Sequence, residues 1–217
     1  MTDVNSVWNE LRNRVANCKR CWLHENRCKA VFGTGPLDSR IVLIGEAPGA
    51  EEDKQGEPFV GESGQLLTGI LENGGGIKRS GIFITNVVKC RPPNNQDPAS
   101  ECLSACREYL EAQLLLLRPK IVITAGRIST SALLGTGIRI TEMHGKWLNW
   151  RGIKLFPMFH PSYIIRQRDE AERVRLKMLT WDDVKKLRLG IEKLDINKES
   201  ILRVNEQENP DAPGNNS

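Results

Sequence analysis

No run of eighteen apolar residues occurs anywhere in the 217-residue chain, so a membrane-spanning helix of ordinary length is excluded. The N-terminal stretch MTDVNSVWNELRNRV is polar and amphipathic and lacks the build of a signal peptide; the expectation is an intracellular protein. Internal repeats and long low-complexity tracts are absent as well. So is a strong charge imbalance: 31 lysines and arginines stand against 27 aspartates and glutamates, a net +4 that permits a polyanionic partner without requiring one. What is present fits one globular domain with a sizeable core. The domain is expected over residues 1–195. Beyond it the chain turns polar, ending NEQENPDAPGNNS, with too little apolar surface to offset ordering entropy, so residues 196–217 are expected to form a disordered tail.

Four short β-branched apolar runs read as buried strands: Arg40–Gly45, Gly81–Val88, Lys120–Ala125 and Ile153–His160. Helical stretches lie between them at Gly64–Asn73, Ala99–Leu117 and Arg127–Leu134, and a further helix over Arg166–Gly190 closes the fold. This alternation predicts an α/β fold, a three-layer α/β/α sandwich around a central, mainly parallel four-stranded sheet. Gly145–Trp150, joined to the last run by Arg151-Gly152, has the makings of an antiparallel hairpin arm. Ligands of open parallel sheets sit outside the carboxyl ends of the strands. Those ends carry GEAPGAEED (45–53) with PFVGESG (58–64), Asn86 with KCRPP, AGR, and HPSY (160–163).

Six cysteines in a reducing compartment suggest ligation rather than disulfides. Cys18 and Cys21 form a Cys-x-x-Cys turn, Cys90 follows the second strand, and Cys106 lies on the next helix. Four thiolates suit zinc or a 4Fe-4S cluster. Cys102 sits one helical turn from Cys106, and spacing alone does not choose among these and Cys28. A redox-disulfide reading of Cys18 and Cys21 lacks the surrounding thioredoxin-like βαβ pattern.

Taken together and in this order, GEAPGAEED, PFVGESG, ITNVVKCRPP and HPSY resemble the family 4, iron–sulfur-containing uracil-DNA glycosylases. The similarity runs from the Cys18 pair past Tyr163. It implies one 4Fe-4S cluster on Cys18, Cys21, Cys90 and Cys106, with Cys28 and Cys102 as non-ligands. It also implies an enzyme that flips uracil out of DNA and hydrolyses its N-glycosidic bond, leaving an abasic site in base excision repair.

Within that resemblance the side chains take roles their chemistry suits. The Asn86 amide offers a donor and an acceptor side by side, as uracil's edge requires. Phe59 resembles the stacking aromatic, although a core phenylalanine would look the same in sequence. His160 would stabilise the oxygen that gains charge as uracil leaves, and Glu46 would orient water and counter the sugar's positive charge. One departure stands out: Ala47 occupies the place where the best-known uracil glycosylases carry a water-activating aspartate. Backbone amides of Gly45–Ala47 would also face uracil. Glu52 resembles the residue that crowds the ring's 5-position, its competitor reading being a solvated member of an acidic run. Ser63, Gly64 and Gln65 open a helix suited to a DNA phosphate. Ser162, Tyr163 and Arg166 resemble the loop that wedges into the duplex. Lys89, Arg91, Arg127, Arg166 and Arg168 are expected near the mouth, against the DNA backbone.

Rival functions are an iron–sulfur redox protein, a nucleic-acid-binding accessory subunit with a vestigial pocket, and a nucleotide-binding protein using GEAPG, which lacks the Lys-Ser/Thr of a Walker loop. The expected partner is uracil-containing DNA, met by a monomer. A replication sliding clamp is a reasonable second partner, but no clamp-binding peptide stands out.

Overall fold

The computed structural model describes residues 3–194, 196 and 199–202. It opens with α1 (Val4–Ala16), begun by Asp3, whose carboxylate accepts the Asn5 amide, and turned so that Trp8, Leu11 and Val15 face inward. β1 (Ile41–Gly45), α2 (Ala50–Gln55), α3 (Glu62–Gly69) and β2 (Phe83–Asn86) follow, with a π-helical turn over Ile70–Gly74. Then come α4 (Ser100–Leu117), β3 (Ile121–Ala125), α5 (Arg127–Leu134) and the short α6 (Ile140–Met143). β4 (Leu148–Trp150), β5 (Ile153–Met158), α7 (Pro161–Ile165) and α8 (Glu170–Glu192) complete the order.

The strands lie in the order β2-β1-β3-β5-β4, all parallel except β4. The sheet therefore has five strands, not four. The added strand is the hairpin arm, which reverses through Arg151 and Gly152, both at positive φ, as a tight two-residue turn requires. The pleat divides β1 between two cores. Ile41 and Leu43 face α8 and the π-helical turn, while Val42 and Ile44 face α1 and α4. Helices on both faces give the expected three layers.

Most elements lie within two residues of their expected bounds, and two depart further. The helix expected over Arg166–Gly190 begins only at Glu170, because Asp169 caps it by accepting the Ala171 amide at 3.0 Å. The last four residues of GEAPGAEED, where no helix was expected, begin the six-residue α2, closed by Gly56 in the left-handed conformation. Glu199–Leu202, assigned by composition to the tail, belongs with the domain: Ile201 and Leu202 are buried, and the Lys78 amide donates to the Ile201 carbonyl at 2.6 Å. The rest of the expected tail, 203–217, lies outside the described residues. Among the described residues no helix is long and apolar enough to cross a membrane.

From β1 the chain passes to β2 on one side of it, and after α4 it returns to β3 on the other. The connections diverge at the carboxyl ends of β1 and β3, which leaves a crevice there.

Candidate active site

A cleft of about 440 Å³ opens at this switch point. Glu46 and Ala47 line it after β1, Asn86 at the end of β2, and His160 after β5. Glu52, Phe59, Ser63, Ser162 and Arg166 complete the set of sequence-chosen residues on its wall. Gly45, Gly64, Gln65 and Tyr163 are not on the wall.

Two of these act from beneath. A Cβ at Gly45 would stand 2.3 Å from Asn86 Oδ1 and 2.5 Å from Phe59 Cζ, and one at Gly64 would stand 1.9 Å from the Phe59 carbonyl. Only glycine lets the Phe59 loop lie this close to the sheet end. Gln65 has its amide taken by the Gly61 carbonyl, so of the three helix-opening residues only Ser63 and Gly64 hold first-turn amides without a helical acceptor.

Phe59 has φ of +54°, a strained conformation for a bulky side chain, and its neighbours hold it there. Arg79 donates to the Pro58 carbonyl at 2.7 Å. Glu52 accepts the Val60 and Gly61 amides, each at 2.9 Å, and the Gly49 amide at 3.1 Å. Glu52 is thus a buried brace, not a solvated surface charge. The Phe59 ring joins the core beneath and lies 5.8 Å from the His160 ring, so its core and cleft roles coincide.

His160 has one nitrogen spoken for. Its Nδ1 accepts the Ser162 amide at 3.2 Å and lies 2.7 Å from the Ser162 hydroxyl. A nitrogen that accepts a backbone N–H carries no proton, so in the neutral ring the proton sits on Nε2 as a donor. Burial, aided by Arg166 and opposed by Glu52, pulls its pKa down to about 4. Near neutral pH this is a neutral donor. Glu46 is shifted the other way, raised to about 7 by burial and by Asp97, with Arg127 and Arg166 opposing.

Asn86 is 2% exposed, and its Oδ1 has no hydrogen-bond partner in the structure. A buried acceptor left open at the floor of a cleft asks for a donor from a ligand.

The cleft has a further wall that the sequence did not single out. Asn94, Asn95, Gln96 and Asp97 line it, the two asparagines at φ of +54° and +53°. The signal was the turn-forming Pro-Pro-Asn-Asn run after Cys90. Among the expected mouth cations, Arg127 pairs with Asp97 at 2.7 Å and Arg91 holds Asn95 Oδ1 at 2.8 Å. Arg166 and Arg168 are exposed. Lys89 is a correction: it is buried, with its ammonium bonded inside the protein, and faces no phosphate.

Cys18, Cys21, Cys90 and Cys106 line one pocket on the far side of Lys89, together with Arg20, Arg27 and Tyr109. Arg27 donates to Cys90 Sγ at 2.9 Å and the Lys89 amide to Cys106 Sγ at 3.4 Å. Such N–H to sulfur bonds favour thiolates and suit a thiolate-bound centre. Among the described residues no three His, Cys, Asp or Glu side chains are gathered closely enough for a single metal ion. Cys28 is exposed elsewhere, its amide bonded to Asp53, and Cys102 is buried behind Cys21, where burial first and then that neighbour push its thiol up to about 12.

The uracil DNA glycosylase superfamily model matches residues 32–185. A type-4 uracil-DNA glycosylase of Thermotoga maritima is 43% identical over 182 residues, covering 83% of this chain and 92% of that protein. One from Sulfurisphaera tokodaii is 40% identical, covering 82% of each, and one from Saccharolobus solfataricus is 43% identical over 70% of this chain and 74% of its own length. The strand-end motifs, the cleft they build and these similarities agree: the chain belongs to the uracil-DNA glycosylase superfamily and, within it, to the type-4 uracil-DNA glycosylases.

Proposed function

We propose that this chain flips uracil out of DNA and hydrolyses the bond between uracil N1 and the sugar, leaving an abasic site for base excision repair. The observation that carries the proposal is the open, buried Oδ1 of Asn86 at the cleft floor. Uracil presents a ring N–H there, whereas cytosine presents a lone pair that would face it unpaired. Phe59 stacks on the base, Glu46 and Ala47 face it with backbone amides above Gly45, and Glu52 shapes the loop beside it. As the N-glycosidic bond breaks, its electron pair leaves with uracil, and Nε2–H of His160 donates to the oxygen that gains the charge. Water adds to the anomeric carbon and gives its proton to the Glu46 carboxylate, which also balances the positive sugar. Ser63, Gly64 and Arg166 meet the DNA backbone, while Ser162 and Tyr163 belong to the segment that enters the stack.

Cys18, Cys21, Cys90 and Cys106 would hold one 4Fe-4S cluster, supported by their shared pocket and the N–H groups aimed at sulfur. When bound, that group cross-links α1's end to the loop between Cys90 and α4. The protein acts inside the cell as a monomer, with a sliding clamp as the further partner to test by co-elution. The deciding experiment is incubation with a uracil-containing oligonucleotide followed by alkali. Strand cleavage is expected, with the cytosine and thymine counterparts intact; an uncut uracil strand would sink the proposal.

A further inference from the structure

Lys89 lies between Asn86 and Cys90, is 1% exposed and has three hydrogen-bond acceptors around its ammonium. Thr85 Oγ1, the Asn86 main-chain carbonyl and Gln113 Oε1 each stand 2.7 Å from Nζ. The directions are settled by what lies behind. The Thr85 hydroxyl and Gln113 Nε2 both donate to the Phe32 carbonyl at 2.8 Å, which leaves Thr85 Oγ1 and Gln113 Oε1 to accept from Lys89. Three donors therefore meet three acceptors. The backbone of Lys89 is tied as well, its carbonyl accepting the Val31 amide at 2.7 Å and its amide donating to Cys106 Sγ.

Burying a cation is costly, and an apolar side chain of similar length would fill the same space without that cost. What the cation adds is direction. Asn86 is the last residue of β2, and its peptide with Val87 is held toward β1 by the Val87 amide donating to the Gly45 carbonyl at 3.0 Å, while its own carbonyl points away from that strand and its side-chain amide must meet a base edge with correct geometry. The Lys89 bond to the Asn86 carbonyl ties the other side of the same peptide, so the plane is held at both ends.

We infer that Lys89 is a positioning residue for base recognition: its buried ammonium clamps the Asn86 carbonyl and so aims the amide that reads uracil, without touching DNA. This rests on Asn86 being the uracil reader. The test uses Lys89→Met and Thr85→Val in the parent and in an Asn86→Ala background, with single-turnover excision and binding to abasic-site DNA measured for each. In the parent background, Lys89→Met should slow excision by about tenfold to a hundredfold, the range typical of a misplaced reacting group, with abasic-site affinity unchanged. In the Asn86→Ala background it should add no more than about twofold, since the two changes remove one function. Thr85→Val should show the same non-additivity with a smaller loss, and because it leaves the lysine in place it carries the test if Lys89→Met fails to fold. A full Lys89 effect in the Asn86→Ala background, or abasic-site binding that falls in step with the rate, would overturn the inference while leaving uracil excision intact. A parent protein silent on uracil would overturn the excision reading and this inference with it.

Discussion

At the scale of single residues, Glu46 and His160 sit in one cleft and are shifted in opposite directions, each toward its neutral form. In the proposed reaction the neutral form of His160 is the working one, a donor on Nε2. Removing a preorganised donor of this kind costs about 10²–10³ in rate, so His160→Ala should keep DNA binding and lose single-turnover excision by that factor. In the same proposal Glu46 must instead ionise to accept a proton, so excision should rise as pH passes through about 7. Asp97→Asn removes the negative charge that opposes ionisation and frees Arg127, which favours it, so the acid limb of the rate profile should move to lower pH. An unmoved limb would mean that another group activates the water. The sign for stability is the reverse. A carboxyl whose folded pKa exceeds its unfolded value stabilises the fold below the unfolded pKa, and that contribution is lost as pH rises through the folded one. Glu46→Gln, which mimics the protonated form, should therefore raise the thermal midpoint above pH 7, by up to about 3 kcal/mol in stability, and leave it unchanged near pH 4 while abolishing excision. Unaltered excision in that variant would sink the role given to Glu46.

At the scale of elements, the parallel strands were legible because β1, β2 and β3 are buried on both faces throughout and β5 is so from Leu155 onward, so their apolar runs are nearly continuous. Their carboxyl ends were legible for the same reason: a polar residue such as Asn86 directly after such a run has to be explained. The misplacements share a cause too. α2, with six residues, is shorter than any periodicity can reveal, and Asp169 as a helix cap looks in sequence like one more charge among many. Lys89 was placed at the mouth because a lysine is assumed to seek water; only the tertiary contacts with Gln113 and Thr85 show that its charge is satisfied inside. The cysteines divide by element as well. Cys106 faces the pocket from α4, and Cys102, one turn earlier, packs behind it. Cys106→Ala should abolish the broad visible absorption of an iron–sulfur centre, whereas Cys102→Ala and Cys28→Ala should leave it intact. Loss of the band in Cys102→Ala would overturn the ligand set.

At the scale of the whole molecule, a cleft this deep reaches uracil only after the base has left the helix, so something must occupy the gap in a duplex and nothing need do so in a single strand. Tyr163 has the placement for it. It stands on α7 next to Ser162 of the cleft wall, is 39% exposed despite its size, and stacks on Phe159 with centroids 5.9 Å apart. The ring is thus backed by Phe159 and presented outward. An aromatic that replaces a lost stacking partner is worth about 1–3 kcal/mol, so Tyr163→Ala should slow excision from double-stranded DNA by roughly tenfold to a hundredfold. Excision from a single strand of the same sequence should stay within about twofold of the parent, because no stack is opened there. Placing an unstable mismatch at the uracil should restore part of the duplex rate by lowering the cost of flipping. Equal losses on single- and double-stranded substrate would show that Tyr163 serves only to pack Phe159 next to His160.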